Sequence, residues 1–188
     1  LIGSAGTGGG DIQLEMMRKL VLDIAAEEGL SFKLALIHSE QDKGYLKRRL
    51  AEGRIRPLDP APPFDENVID RSAHIVGMMG AEPIQRALKA GADVVLCGRA
   101  SDTAVFAALP EMRGIPSGIA WHAAKILECG AAAVVNRTSP DCMFAWLRPD
   151  HFVVEPPNPD YHCTPQSVAS HSLYENGDPF RLVECSGT

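Results

Sequence analysis

The stretch that most constrains this chain runs from Ala90 to Ala133. The mostly apolar run Ala92 to Cys97 ends in Gly98, and Arg99, Ser101 and Asp102 follow within four positions before a helical pattern begins. Apolar residues bounded by turn signals suit a strand buried on both faces. Polar groups placed at its carboxyl end stand where ligands of open parallel sheets bind. The stretch therefore predicts an α/β protein with a site at a strand end.

The rest of the chain repeats that rhythm. Residues 1 to 10 (LIGSAGTGGG) read as a strand end and a glycine-rich loop, with Asp11 as the cap of a helix whose apolar stripe is Met17, Leu20, Val21 and Ile24. Gly29 closes that helix, Phe32 to Ile37 reads as a strand, and a second helix covers about Asp42 to Glu52 and stops at Gly53. Arg54 to Asp70, with Pro57, Pro60, Pro62 and Pro63, reads as an extended loop or lid. A short strand over Ala73 to Val76 and a turn over Gly77 to Gly80 precede a helix from Glu82 to Ala90, which leads to the strand Asp93 to Cys97. Helices follow from Asp102 to Leu109, ending before Pro110, and from Gly118 to Cys129. Alternating strands and helices predict an open, mostly parallel sheet flanked by helices.

Beyond Gly130 the pattern loosens. Ala131 to Val135 reads as a strand, Pro140 to Asp150 as irregular, Phe152 to Glu155 as a short strand, and Thr164 with Pro165 opens a helix to about Glu175. These features predict a parallel α/β core over residues 1–135 and a smaller, irregular α+β part over 136–188 that is incomplete. The start without Met, running straight into a glycine loop, and the ending Ser186-Gly187-Thr188 suggest an internal fragment.

Composition narrows the function classes. No apolar run in the 188 residues approaches the roughly 20 needed to span a membrane. The formal charge is −6, and the basic cluster of Lys47, Arg48, Arg49, Arg54 and Arg56 is broken by Glu52, so nucleic acid is not an expected partner. The five cysteines form no CxxC pair and suit reduced thiols in the cytoplasm. The histidines lack metal-ligand spacing, so no tightly bound metal is expected. A GxSxG elbow is absent too.

Three places could carry chemistry. The loop Gly3 to Gly10, with Gly6, Thr7, Gly8 and Gly9 at its centre, could cradle an anion on backbone N–H groups or serve as a close-packing turn. It fits neither a Walker loop nor GxGxxG, because Gly9 and Gly10 stand where Lys and Ser or Thr are required and Asp11 stands where Gly is. Arg99 can grip a carboxylate in two parallel hydrogen bonds, Ser101 can cap the next helix or touch substrate, and Asp102 can act as a base. The structural alternative is a cap, a dipole partner and a salt bridge. His38 and Glu40 end another presumed parallel strand and could reach the same crevice, with Ser39 beside them as cap or site residue. His122 is either an acid–base group or a hydrogen-bonded interfacial histidine. It cannot pair with Cys129, since seven helical residues separate them by about 10 Å.

The segments GSAGTGGGD, HIVGMMGAEPIQRALKAGADVVLCGRASDTA, ILECGAA and SLYENGDP, in that order, resemble the acyclic terpene utilisation (AtuA) family. IHSEQDKGYLKRRL and PDCMFAWLRPDHFVVEPPNP mark this chain as a divergent subgroup. The resemblance implies a bacterial, cytoplasmic catabolic protein concerned with branched isoprenoid acids as coenzyme A thioesters. Lyase or hydratase chemistry would use Arg99 as carboxylate clamp, Asp102 or His122 as acid–base group, and the glycine loop as oxyanion nest. The rival is a non-catalytic small-molecule-binding subunit of a catabolic complex. A nucleotide-dependent ligase or transferase ranks last. The expected partner is a small acid or acyl-coenzyme A, with a homo-oligomer or partner subunit also in view, and no cofactor is named by the residues.

Overall fold

The computed structural model describes residues 1–6 and 8–184. Its centre is a three-stranded parallel sheet of β1 (Ile2–Ser4), β2 (Leu34–Ile37) and β3 (Val94–Cys97), in the spatial order β1-β3-β2. β3 lies in the middle and every one of its residues is buried. Its near-continuous apolar run is what a strand covered on both faces requires. Val95 registers with Ile2 and Ala35, and Cys97 with Ser4 and Ile37, so all three strands end at one edge.

Side chains alternate across the sheet. Val94 and Leu96 point with Leu34 and Leu36 to α1 (Asp11–Glu27), where Leu14, Met17 and Val21 pack on them. Val95 and Cys97 face the opposite layer, α4 (Ala81–Lys89), α5 (Asp102–Met112) and α6 (Ser117–Leu127), through Ile84, Ala104, Ala107, Ala108, Trp121 and Ala124. Alanines at these positions let the helices approach closely, so the second layer is dense. α2 (Lys43–Ala51) and α3 (Glu66–Arg71) lie between β2 and α4 in the chain.

Several local expectations are corrected. On α1 the inward stripe is Leu14, Met17, Val21 and Ala25, while Leu20 and Ile24 are 51% and 47% exposed. A periodicity with two apolar faces does not say which face meets the sheet; the sheet decides it. Asp11 is the first helical residue and Gly10, with extended backbone, the cap, while the Asp11 side chain is engaged by His38. Pro110 lies inside α5 rather than after it. Pro110 forfeits the one bond its N–H would make to the preceding turn, yet α5 runs on to Met112, Arg113 N–H closes it on the Leu109 and Pro110 carbonyls, and Gly114, at φ 83°, follows the true end. The proline-rich segment is not wholly loop, since Asp65 accepts Val68 N–H and starts α3.

The expected strand Ala73 to Val76 forms only an isolated bridge, Val76 with Glu40, and a second bridge, Met79 with Ala100, falls in the expected turn. Gln41 and Gly77 N–H donate to Ile75 and Ser39 carbonyls, and Met79 and Ser101 N–H donate to Arg99 and Met79 carbonyls. This segment therefore crosses the carboxyl ends of β2 and β3 and ties their exits together.

After a short 3₁₀ turn, Gly130–Ala133, β4 (Val134–Val135) pairs antiparallel with β7 (His162–Cys163). β5 (Phe144–Leu147), inside the stretch expected to be irregular, forms an antiparallel hairpin with β6 (Phe152–Glu155). α7 (Pro165–Ser172) opens as its sequence predicts, with Thr164 and Ser167 exchanging backbone-to-hydroxyl bonds of 2.9 and 3.0 Å. The described cysteines 97, 129, 142 and 163 are unpaired.

Candidate functional site at the strand edge

Parallel strands deliver their exits to one side, and here three exits meet around Ser39. Its hydroxyl donates to Gly9 O at 2.6 Å and accepts Arg99 N–H at 2.7 Å, while the residue is 2% exposed. One short side chain thus joins the loops after β1, β2 and β3. Two glycines make this approach possible. Gly9 has φ 64°, and a Cβ there would collide with the backbone N and Cα of Arg99. A Cβ on Gly98 would strike the Ser39 hydroxyl and lie 2.7 Å from Gly9 O.

Two histidine–carboxylate pairs surround this knot. His38 Nδ1 lies 2.8 Å from Asp11 Oδ1. A carboxylate can only accept, so in the neutral ring Nδ1 carries the proton and Nε2 holds the free lone pair. Glu40 Oε2 accepts Asp11 N–H at 2.9 Å, and its other oxygen is bonded to His74 Nδ1. The Asp11 N–H, helped by His74, holds the Glu40 carboxyl below the usual glutamate range. Among the described residues no three His, Cys, Asp or Glu side chains are grouped to hold a metal ion.

The remaining residues singled out from the sequence divide between two places. Arg99 is half-buried at the knot, with its backbone N–H on Ser39 and its carbonyl on Met79 N–H. Asp102 is exposed on the first turn of α5, and its carboxylate makes no hydrogen bond among the described residues. Gly6 and Gly8 are exposed on the loop, whereas Thr7 lies outside the described residues. Ser101 stands at the cap position of α5 without capping: its hydroxyl shares a 2.6 Å bond with Thr103 Oγ1 and donates to Glu184 Oε2 at 3.0 Å.

His122 is elsewhere. It lines a cavity of about 450 Å³ between α6, the end of α7 and residues 178–184, and neither Arg99, Asp102, His38 nor Glu40 lines that space. Its ring packs edge-on to Phe152 at 5.0 Å, and burial lowers its pKa. Cys129, nearby at the end of α6, has its thiol pushed up by burial and by Glu128, so it is a poor nucleophile.

The family model for the acyclic terpene utilisation family protein AtuA matches residues 7–134. The chain belongs to this family. No curated protein and no solved structure matches it. Membership in the AtuA family implies acyclic terpene utilisation. The matched stretch contains α1, β2, β3 and the whole strand-edge knot, while β5, β6, β7 and α7 lie beyond it. In this AtuA-family chain no described helix is long and apolar enough to cross a membrane.

Two members of the cluster escaped the sequence reading. Asp11 is explained there as a helix cap, and His74 is passed over for want of ligand spacing. They stand 27 and 36 residues from His38, so spacing holds no signal. The usable clue was topological: Asp11 follows the loop of one parallel strand and His38 ends another.

Proposed function

We propose that this protein is a catabolic enzyme of acyclic terpene utilisation that adds water to, or eliminates it from, a branched carboxylic acid or its coenzyme A thioester at the strand edge. Arg99 binds the substrate carboxylate through its guanidinium fork. For a thioester, the N–H groups of Gly8 and Gly9 would carry the charge that develops on the carbonyl oxygen, since Gly6 N–H is already donated to Ser4 O. His38, oriented by Asp11, takes the proton at Nε2, and Asp102 is a second proton carrier on the same edge. In hydration, water loses a proton to His38 Nε2 as its oxygen adds to the double bond, the adjacent carbon takes a proton relayed from solvent by Asp102, and His38 returns its proton to solvent.

The observation that carries this reading is the Ser39 knot, which holds Gly9 and Arg99 together beside the His38–Asp11 pair. Such a rigid second layer is what a positioned acid–base site needs. A panel of branched acyl-coenzyme A thioesters and free acids tests it directly. Turnover of the active compound should fall about 10²- to 10⁴-fold in His38→Asn, the usual contribution of general acid–base catalysis. Unchanged turnover in both His38→Asn and Asp102→Asn refutes these roles. Saturable binding that depends on Arg99, without turnover of any compound, selects the binding-subunit reading instead.

A further inference from the structure

The cavity that contains His122 lies apart from the strand edge, and its lining has a chemistry of its own. Gly118, Trp121, His122 and Lys125 follow the i, i+3, i+4, i+7 spacing of one helix face, and all four line the cavity. Their polar ends are already engaged or uncharged. Trp121 Nε1 donates to Glu111 at 2.8 Å, Lys125 Nζ is ion-paired with Glu128, and burial keeps the His122 ring neutral near pH 7. From α6 the space therefore meets an indole, an aliphatic stem and an imidazole, with Leu182 on the opposite wall and the neutral polar Ser172 and Asn176 beside them.

The charged groups on the facing segment are asymmetric. Asp178 accepts Phe180 N–H at 2.8 Å, and Glu184 accepts the Ser101 hydroxyl. Arg181 also lines the cavity and has no hydrogen-bond or ion-pair partner among the described residues. The two carboxylates are each held by a donor of the chain, so the group left for a ligand's charge is the Arg181 guanidinium, and beside an indole and a leucine it suits an amphiphile bearing a carboxylate. We infer that this cavity is a second ligand site, distinct from the strand edge, for a monocarboxylate with an apolar chain, whose carboxylate pairs with Arg181 and whose chain lies against Trp121 and Leu182.

Trp121 can report on its own occupancy, because the other tryptophan, Trp146, is on the exposed hairpin and can be replaced by Phe. In Trp146→Phe protein, sodium octanoate should change Trp121 emission saturably. Affinity should rise roughly fourfold per methylene from butanoate to octanoate, as expected for burial of each CH₂. Arg181→Gln should weaken octanoate about tenfold, the loss expected for a charge-assisted bond, while Arg99→Gln leaves it unchanged. Arg181 is exposed, so its replacement should not disturb folding, which the far-UV circular dichroism spectrum checks. No saturable response overturns the site. Octylammonium binding more tightly than octanoate overturns the choice of an anion. A response abolished by Arg99→Gln but not by Arg181→Gln overturns the site's independence and makes the cavity an extension of the strand edge.

Discussion

The strand edge and the α6 cavity are built by opposite means. At the edge, backbone is held against backbone by one buried hydroxyl, Ser39, in a space that only glycines at 9 and 98 leave open. Around the cavity, side chains of one helix face meet residues 178–184, which the Glu184–Ser101 bond helps tie to the core. The first arrangement holds groups in fixed positions. The second is assembled by side-chain contacts across a space. Both touch the same strand exit, since Ser101 lies two residues beyond Arg99.

Mutations can set the two regions against each other. Gly98→Ala should be the most damaging change, because its Cβ meets a buried hydroxyl and a carbonyl that cannot retreat without breaking the knot. Overpacking of this kind costs about 1–3 kcal/mol, and the forfeited Ser39 bonds take the total to about 3 kcal/mol or more. Chemical denaturation checks it, and a loss under about 1 kcal/mol would show the knot to be soft. Ser39→Ala should follow at about 2 kcal/mol, since it leaves Gly9 O and Arg99 N–H without their partner. Amide exchange should quicken at residues 98–101 in that variant, and Ser39→Thr should recover part of the protection.

Glu184→Gln should be milder, below about 1 kcal/mol in global stability, the range of a partly exposed charged contact. Its expected signature is local: faster amide exchange over residues 178–184 with residues 94–101 unchanged. Equal acceleration in both would merge the two regions into one unit.

The smallest effect concerns acid. His171, buried on α7 and stacked on Tyr174, has its pKa lowered by burial, with the Lys125 cation acting in the same direction. In the unfolded chain it binds a proton more readily, so its contribution is complete above the ordinary histidine pKa of about 6.5 and is lost as pH falls through the lowered value. The melting temperature should decline below pH 6.5 less steeply in His171→Leu than in the parent protein. Parallel slopes would exclude His171 as the cause.

Much of the fold was legible in the residues. The Val94–Cys97 run announced a strand covered on both faces, the glycines at 29 and 53 marked helix ends at positive φ, and Thr164-Pro165 announced a capped helix. α1 was legible only as a helix. Ile12, Met16, Leu20 and Ile24 are as apolar as the stripe that packs, and they remain exposed. Pro110 misled because α5 forgoes one N–H bond at the proline and still runs on to Met112, closed by Arg113 N–H on the Leu109 and Pro110 carbonyls.

The site was legible as an edge and not as a set of partners. Gly98, Arg99 and the His38-Ser39-Glu40 exit were visible because turn and strand signals are local in sequence. The pairing of His38 with Asp11, of Glu40 with His74, and of Ser39 with both Gly9 and Arg99 depends on the spatial order β1-β3-β2. Strand order is a long-range property, decided when the connection through α1 passes over the position that β3 later fills. The same holds for His122: its place on a helix face was readable, but which layer that face meets was not, and tertiary packing gave it to the cavity rather than to the strand edge. Local chemistry in the sequence determined which residues could act. Only the packing of the layers decided which of them stand together.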